Sequence, residues 1–332
     1  MSRSGNRAAM GSKTFIVSRR RVTVEDTARA PADAMKASPR LDTKIRVCLS
    51  ARVQNKRELE YYTTPGPMTD LKHCPPDVFE GLPDAPAELV TVARRCVIAA
   101  LPVPEDRSDP QIRPAAAMIE RIQELDPSPL VDRRPPLKRF LGNCRHFATL
   151  SCALFRHKGI PARVRAGFAG YFVPNTWADH WIIEYWRPSE ERWVRVDPQW
   201  GDSWAKQQHP NATSESLAEN MYWSGGQTWQ RCRRGQLDPA RCNMGGVNWG
   251  IGEVRGSVLF DLAALNKVEV LPWDSWGRME AAYKSETDAD YDDLLDSVSE
   301  ITSADDFDAI RDLYDRHDDL RVPASLLPAT VS

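Results

Sequence analysis

Residues 141–200 read LGNCRHFATLSCALFRHKGIPARVRAGFAGYFVPNTWADHWIIEYWRPSEERWVRVDPQW. From Cys144 onward, apolar residues recur at helical spacing as Phe147, Leu150 and Leu154, with Ala148, Cys152 and Phe155 beside them. Asn143 suits the N-cap, Gly142 lets the chain turn sharply into the helix, and Gly159 and Pro161 end it. Cys144 therefore falls in the first turn. There the helix dipole and free backbone N–H groups favour an anion, which makes a thiol more acidic. Cys152 lies two turns further on the apolar side and reads as a buried filler. His146 follows Cys144 by two residues and so points to another face, while His157 sits near the helix C-terminus, where a solvent-facing or dipole-paired role is expected.

Three strand-like runs follow. Ala162, Val164, Ala166 and Phe168 alternate with Arg163 and Arg165, and the runs His180–Trp186 and Arg192–Asp197 flank the connection 187–191. A hairpin centred between Pro188 and Ser189 would set His180 directly opposite Asp197, on one face. Pro-Ser is a poor two-residue turn, so a longer loop is expected. The resulting order is cysteine at a helix start, histidine on a strand, aspartate at the end of the next. Acyl transfer through a thiol needs such a set: a nucleophile, a group that takes and returns its proton, and an acid that orients that group.

In these pieces the chain resembles the transglutaminase-like branch of the papain-type cysteine enzymes. The matching residues are Gly142, Asn143 and Cys144; Gly159 to Arg163; His180 and Trp181 with Glu184; and Trp193 with Val196, Asp197 and Pro198. A weaker likeness to bacterial members continues from Val254 to Met279. The resemblance implies an α+β fold of transglutaminase-like or papain-like type. A helical lobe carrying the nucleophile would pack on an antiparallel β-sheet carrying the histidine and aspartate. It implies Cys144 as nucleophile, His180 as general base and acid, and Asp197 as orienting residue. The expected activity is cysteine-dependent chemistry at an amide bond through a thioester on Cys144, either hydrolysis or transfer to an amine. The expected substrate is a peptide or small amide, with an amine as a further acceptor, and no cofactor or metal is called for. The other class considered is a non-catalytic peptide- or ligand-binding module that keeps the pocket. Asp179 before the histidine and Gln199 after Asp197-Pro198 depart from the family pattern. All eleven tryptophans lie between Trp177 and Trp276, so the tryptophan that transglutaminases place upstream of the nucleophile as an oxyanion donor has no counterpart here.

Composition sets wider bounds. The 332 residues are 42% hydrophobic and 27% charged with a formal net charge of −2, ordinary for a globular chain and without the global charge of a nucleic-acid binder. No apolar run approaches a membrane span and no apolar signal core opens the chain. Seven cysteines without framework spacing suit a reducing, cytoplasmic setting. Sequence alone says nothing of the oligomeric state.

Three regions are expected: a basic, disordered tail over 1–40, a catalytic domain over 41–284 with its core at 141–200, and an acidic helical segment over 285–332. In the tail nine basic residues face three acidic ones, and Thr14–Val17 and Val22–Val24 could form short strands. Lys44–Val53 alternates as a strand; Asp84–Leu101 and Pro114–Leu125 read as helices packed behind Cys144. After Asp197, tryptophans cluster. Trp181, Trp200, Trp223 and Trp229 are candidate substrate-binding walls, with a second core as the equal alternative. Cys232 and Cys242 flank Arg233, Arg234 and Arg241 but lack further ligands for zinc, and the arginines suit a carboxylate or phosphate. Val258–Leu265 reads as a helix and Val268–Leu271 as a strand. Ser303 is placed as the cap of a helix bearing Phe307, Ile310, Leu313 and Tyr314. Asp288, Asp290 and Asp292 lack the glycine and glutamate of a calcium loop and read as a solvated helical face.

Overall fold

The alternating run Ala162–Ala169 forms an eight-residue strand buried along its whole length. It pairs antiparallel with Trp177–Arg187, from Ala162↔Tyr185 to Ala169↔Ala178. The long strand Trp177–Arg187 is the centre of a six-stranded sheet. Beyond Ala162–Ala169 lies Tyr222–Ser224; on the other side, Arg192–Val196 covers one half of the central strand and Cys242–Met244 the other, followed by Asn248–Trp249. Within this sheet the described ladders are antiparallel except the short pairing Trp177↔Cys242, which is parallel. Gly167 is required where Tyr222–Ser224 crosses, because a Cβ there would lie 2.2 Å from the Trp223 carbonyl oxygen.

The computed structural model describes residues 55–99, 109–200, 216–244, 248–284 and 286–328, all within one compact unit, Leu49–Ser332. The basic tail, the expected strands at 14–17, 22–24 and 44–53, and Trp204 lie outside the described residues.

The hairpin corrects the expected register. Its loop is residues 188–191, with Glu191 in the left-handed region at φ 46°, and the pairs run Ile183↔Val196 to Arg187↔Arg192. His180 is therefore displaced by two residues from the position opposite Asp197. A shift of two keeps both side chains on one face, since side chains alternate with period 2.

Helix Cys144–His157 packs on Trp177–Arg187 and against helices Pro86–Cys96 and Ala115–Leu125, so the helices expected behind Cys144 are there. The first of these is shorter than Asp84–Leu101: it starts at Pro86 and stops at Cys96, where Val97–Ile98 pairs with Phe140–Leu141 and delivers the chain to Cys144. Helix Ile251–Leu265 is buried on nearly all sides, between the sheet and the helices that follow. It begins seven residues before the expected Val258. Val268–Leu271 is buried but is not a strand. The guanidinium of Arg145 takes the carbonyls of Glu269 and Val270, where a neighbouring strand would have been needed.

Ser303 ends helix Ala289–Ser303, and Asp306 caps the next helix, Phe307–Arg316, by accepting from Ala309 N–H at 3.1 Å. The stripe Phe307, Ile310, Leu313 and Tyr314 is buried as its spacing predicts. Both helices share the main core with the sheet. On the acidic face Asp292 pairs with Arg255 at 3.0 Å and Asp290 with Arg278 at 3.3 Å.

Candidate active site

Cys144 is the first residue of its helix and is half-buried. Asn143 holds the N-cap position, and the His146 ring reaches back to the Asn143 N–H at 3.1 Å. Gly142 is needed for space rather than for a special turn: a Cβ would stand 2.8 Å from His146 Cβ. His146 is fully buried, and its Nε2 donates to the Ile112 carbonyl at 3.2 Å. Burial first, then Arg145, pushes its pKa down to about 3. His146 is thus a neutral brace for the helix start. His157 packs on the Phe79 ring, with centroids 4.3 Å apart, at the far end of the helix. A cavity of about 450 Å³ lined by Arg156, His157 and Phe79 also lies at that end, away from Cys144. Cys152 is buried, and burial pushes its thiol up to about 12. The helix ends as expected, with Gly159 at φ +71°.

Cys144, His180 and Asp197 come together. The Cys144 side chain stands near enough to the His180 ring to act on its charge. His180 Nε2 lies 2.7 Å from Asp197 Oδ2, which leaves Nδ1 for the thiol. His180 is 3% exposed and Asp197 1%. Burial works to lower the His180 pKa, but the charge of Asp197, its hydrogen bond and the Cys144 contact outweigh it, and the ring is pushed up to about 10. Burial likewise opposes ionisation of Asp197, yet His180, Tyr171 and the Gln199 N–H hold its carboxyl below the ordinary range.

Asp197 is saturated with donors. Oδ2 also accepts from the Tyr171 hydroxyl at 2.6 Å, and Oδ1 accepts from the N–H groups of Gln199 at 2.8 Å and Trp200 at 3.1 Å. Tyr171 and Phe172 both meet the His180 ring edge to face, the Phe172 ring at 4.8 Å between centroids. Neither residue was singled out from sequence, and no local pattern marks them. The turn after Asp197 was open to reading, because an Asp before Pro often binds N–H groups two residues on. Beside the site, the Asp179 carboxyl is pushed up to about 7, by burial against the opposing pull of His180, and its Oδ1 has no hydrogen-bond partner.

Glu184 is not part of this constellation. Its carboxylate sits among Arg163 at 2.7 Å, Arg165 at 3.2 Å and Arg195 at 3.0 Å, all buried or nearly so. Burial would raise its pKa, but these guanidiniums hold it far below the ordinary range.

The expected tryptophan walls are mostly core. Trp181 and Trp229 are fully buried; the Trp229 indole donates to Asp296 at 2.6 Å beneath the C-terminal helices. Trp200 stacks on Tyr171, 4.5 Å apart and 8° from parallel, behind Asp197. Trp223 alone of the four is part-exposed, stacked on Trp177 at 3.6 Å with the Arg231 guanidinium 4.1 Å above it. Arg233 is held by Asp296 at 2.9 Å and Arg241 donates to the Asn175 carbonyl at 2.8 Å, so these two are occupied by the protein. Cys232 and Cys242 act on each other, which lowers the pKa of the Cys232 thiol and raises that of Cys242. Among the described residues no group of three or more His, Cys, Asp or Glu is placed to hold a metal ion, and no helix is long and apolar enough to cross a membrane.

Residues 126–198 match the model of the transglutaminase-like superfamily. The chain carries a transglutaminase-like domain. Over 65 residues it is 38% identical to a protein-glutamine gamma-glutamyltransferase of Pseudomonas aeruginosa, a match covering 17% of this chain and 10% of that protein. The chain thus spans about a tenth of the length of that curated relative. A candidate cysteine protease of Cytophaga hutchinsonii superposes on 43% of this chain and 42% of its own, with 17% identity and a TM-score of 0.28, an overlap too loose to bear on fold or chemistry. The matched residues run to Pro198 and so include Cys144, His180 and Asp197.

Proposed function

We propose that this protein is a cysteine enzyme acting on an amide carbonyl through a thioester on Cys144, within a papain-like arrangement of helix and sheet. What supports this most is the meeting of Cys144, first residue of its helix, with a His180 ring hydrogen-bonded to Asp197. The Cys144 sulfur attacks the carbonyl carbon. The backbone N–H of Cys144, at the helix start, faces the oxyanion that forms. His180, protonated on both nitrogens while its partner is a thiolate, gives the Nδ1 proton to the leaving amine as the tetrahedral adduct collapses to the thioester. Water or a second amine then attacks the thioester carbonyl, His180 Nδ1 takes its proton, and the sulfur leaves. Asp197 keeps Nε2–H engaged, so Nδ1 stays with the reacting atoms throughout.

Hydrolysis and transfer share the first half of this path, so the acceptor is the open part of the proposal. The relative's printed name makes an amine acceptor and a glutamine donor reasonable to try first. The rival class, a module that binds peptide between tryptophans, is disfavoured because Trp181, Trp200 and Trp229 are buried. A thiol-reactive acyl probe followed by mass spectrometry tests the reading. An adduct on Cys144 that turns over is expected, absent in Cys144→Ala and slowed about 100-fold in Asp197→Ala, within the usual span of general acid–base contributions. Tight peptide binding with no adduct on Cys144 would count for the module instead.

A further inference from the structure

We propose that Tyr171 is a positioning residue of this site: its hydroxyl shares Asp197 Oδ2 with the His180 ring, fixing the ring's orientation and tempering the carboxylate's pull on its N–H. The inference rests on the Cys144–His180–Asp197 reading above and adds a fourth member to it.

Both donors converge on one oxygen, Tyr171 OH at 2.6 Å and His180 Nε2 at 2.7 Å, while the other oxygen is filled by two backbone N–H groups. With Oδ1 fixed, the carboxylate cannot rotate, and the Tyr171 hydroxyl restricts the direction left for the ring on Oδ2. The phenol itself has no freedom to swing. Its ring is buried and stacked on Trp200, whose carbonyl is held by Arg94 at 2.8 Å. The same ring stands edge-on to His180, 6.1 Å away at 84°. Burial and the adjacent Asp197 charge push the phenol well above its ordinary pKa, so it remains a donor whenever Asp197 is ionised.

A phenylalanine would fill this volume equally well, so the hydroxyl must be explained by the carboxylate. A carboxylate that accepts one more hydrogen bond is a weaker base and holds an imidazolium less tightly. An imidazolium held too tightly is a poor acid toward a leaving amine. The other groups facing His180 do not act on that oxygen. Cys144 comes from the helix, Asp179 is the preceding residue, Phe172 is apolar, and Tyr222 donates to the His180 carbonyl at 3.3 Å.

The test is direct titration of His180 in the full chain, by histidine-selective ¹⁵N labelling and two-bond ¹H–¹⁵N spectra, with His180→Gln assigning its signals among the six histidines. Wild type should titrate well above an ordinary histidine. Tyr171→Phe should raise the midpoint further, by on the order of half to one pH unit. Site-specific 3-fluorotyrosine at position 171, a stronger donor of nearly the same shape, should lower it, and this second arm stands even if the phenylalanine variant fails to fold. A raised wild-type midpoint that the fluorotyrosine leaves unmoved, or moves upward, overturns the proposal and leaves Tyr171 a packing residue. An ordinary midpoint in wild type removes the triad reading itself, and the role of Tyr171 with it.

Discussion

His180 gains its charge from company rather than from water: buried, it is held protonated by Asp197 and Cys144. This has a consequence for stability whose sign can be worked out. Below pH 6.5, the ordinary histidine value, the ring is protonated folded or unfolded and its stabilisation is complete. As pH rises, the folded state keeps a proton that the unfolded chain has lost, so stability falls until the folded group titrates, near 10. Asp197 has the opposite sense, stabilising above the ordinary 3.8 and losing that as pH falls through its depressed folded value. Asp179 titrates up to about 7, and Lys267, whose pKa burial lowers to about 8, adds a rising contribution above that. Urea unfolding of Cys144→Ala, which has no thiol proton to offset that of the ring, should show stability falling as pH rises above 6.5, and adding His180→Gln should flatten the slope; a flat Cys144→Ala curve would contradict the His180–Asp197 ion pair. At this scale the sequence pointed to the three residues that meet, since a helix start, a strand and a strand end in that order leave few alternatives. Tyr171 was illegible, because a buried tyrosine reads as core until its hydroxyl is seen on Asp197.

Among elements, the sheet depends on a charged layer as well as on apolar packing. Arg163 and Arg165 alternate outward from the core face of Ala162–Ala169, yet both are buried, and Glu184 on the central strand meets them with Arg195. Arg165 also forks onto Asp261 of helix Ile251–Leu265, with both contacts at 2.8 Å. Removing one partner from such a cluster leaves buried charge uncompensated. Glu184→Gln should therefore destabilise the protein by about 3–5 kcal/mol in chemical denaturation; a loss under about 1 kcal/mol would mean that solvent or other groups compensate the arginines. The alternation that identified these strands was plain in sequence, but it predicts arginines facing water. What accommodates their charge is Glu184, Asp261, Glu58 and Asp305, all from elsewhere in the chain, and pairing across elements leaves no local trace. The hairpin loop is longer than two residues, as Pro188-Ser189 implied, and its four residues, with Glu191 left-handed, shift the simple register by two.

Over the whole molecule, one main core joins the helices behind Cys144, the sheet and the C-terminal helices, so the acidic segment after residue 285 is part of the fold. Its acidic cluster read as a solvated helical face and its apolar stripe as a helix, but which core that stripe would join left no trace in the sequence. Tryptophan content was similarly ambiguous, since size and apolarity are the same in a pocket wall and a core. That shared core also sorts the cysteines. Cys96, Cys152 and Cys242 are buried; Cys74 is half-buried with its thiol pushed up by burial; Cys232 is part-exposed with a lowered pKa and is the one rival to Cys144 among the described cysteines. Cys144 differs from all of these in having an imidazolium partner. The most direct measurement is a limiting dose of iodoacetamide at mildly acidic pH, with labelled peptides quantified by mass spectrometry in folded wild type and His180→Ala. Cys144 should be labelled first among the seven cysteines, and should lose that preference in the variant. Labelling of Cys232 ahead of Cys144, or undiminished labelling of Cys144 without His180, would contradict a thiolate–imidazolium pair at this site.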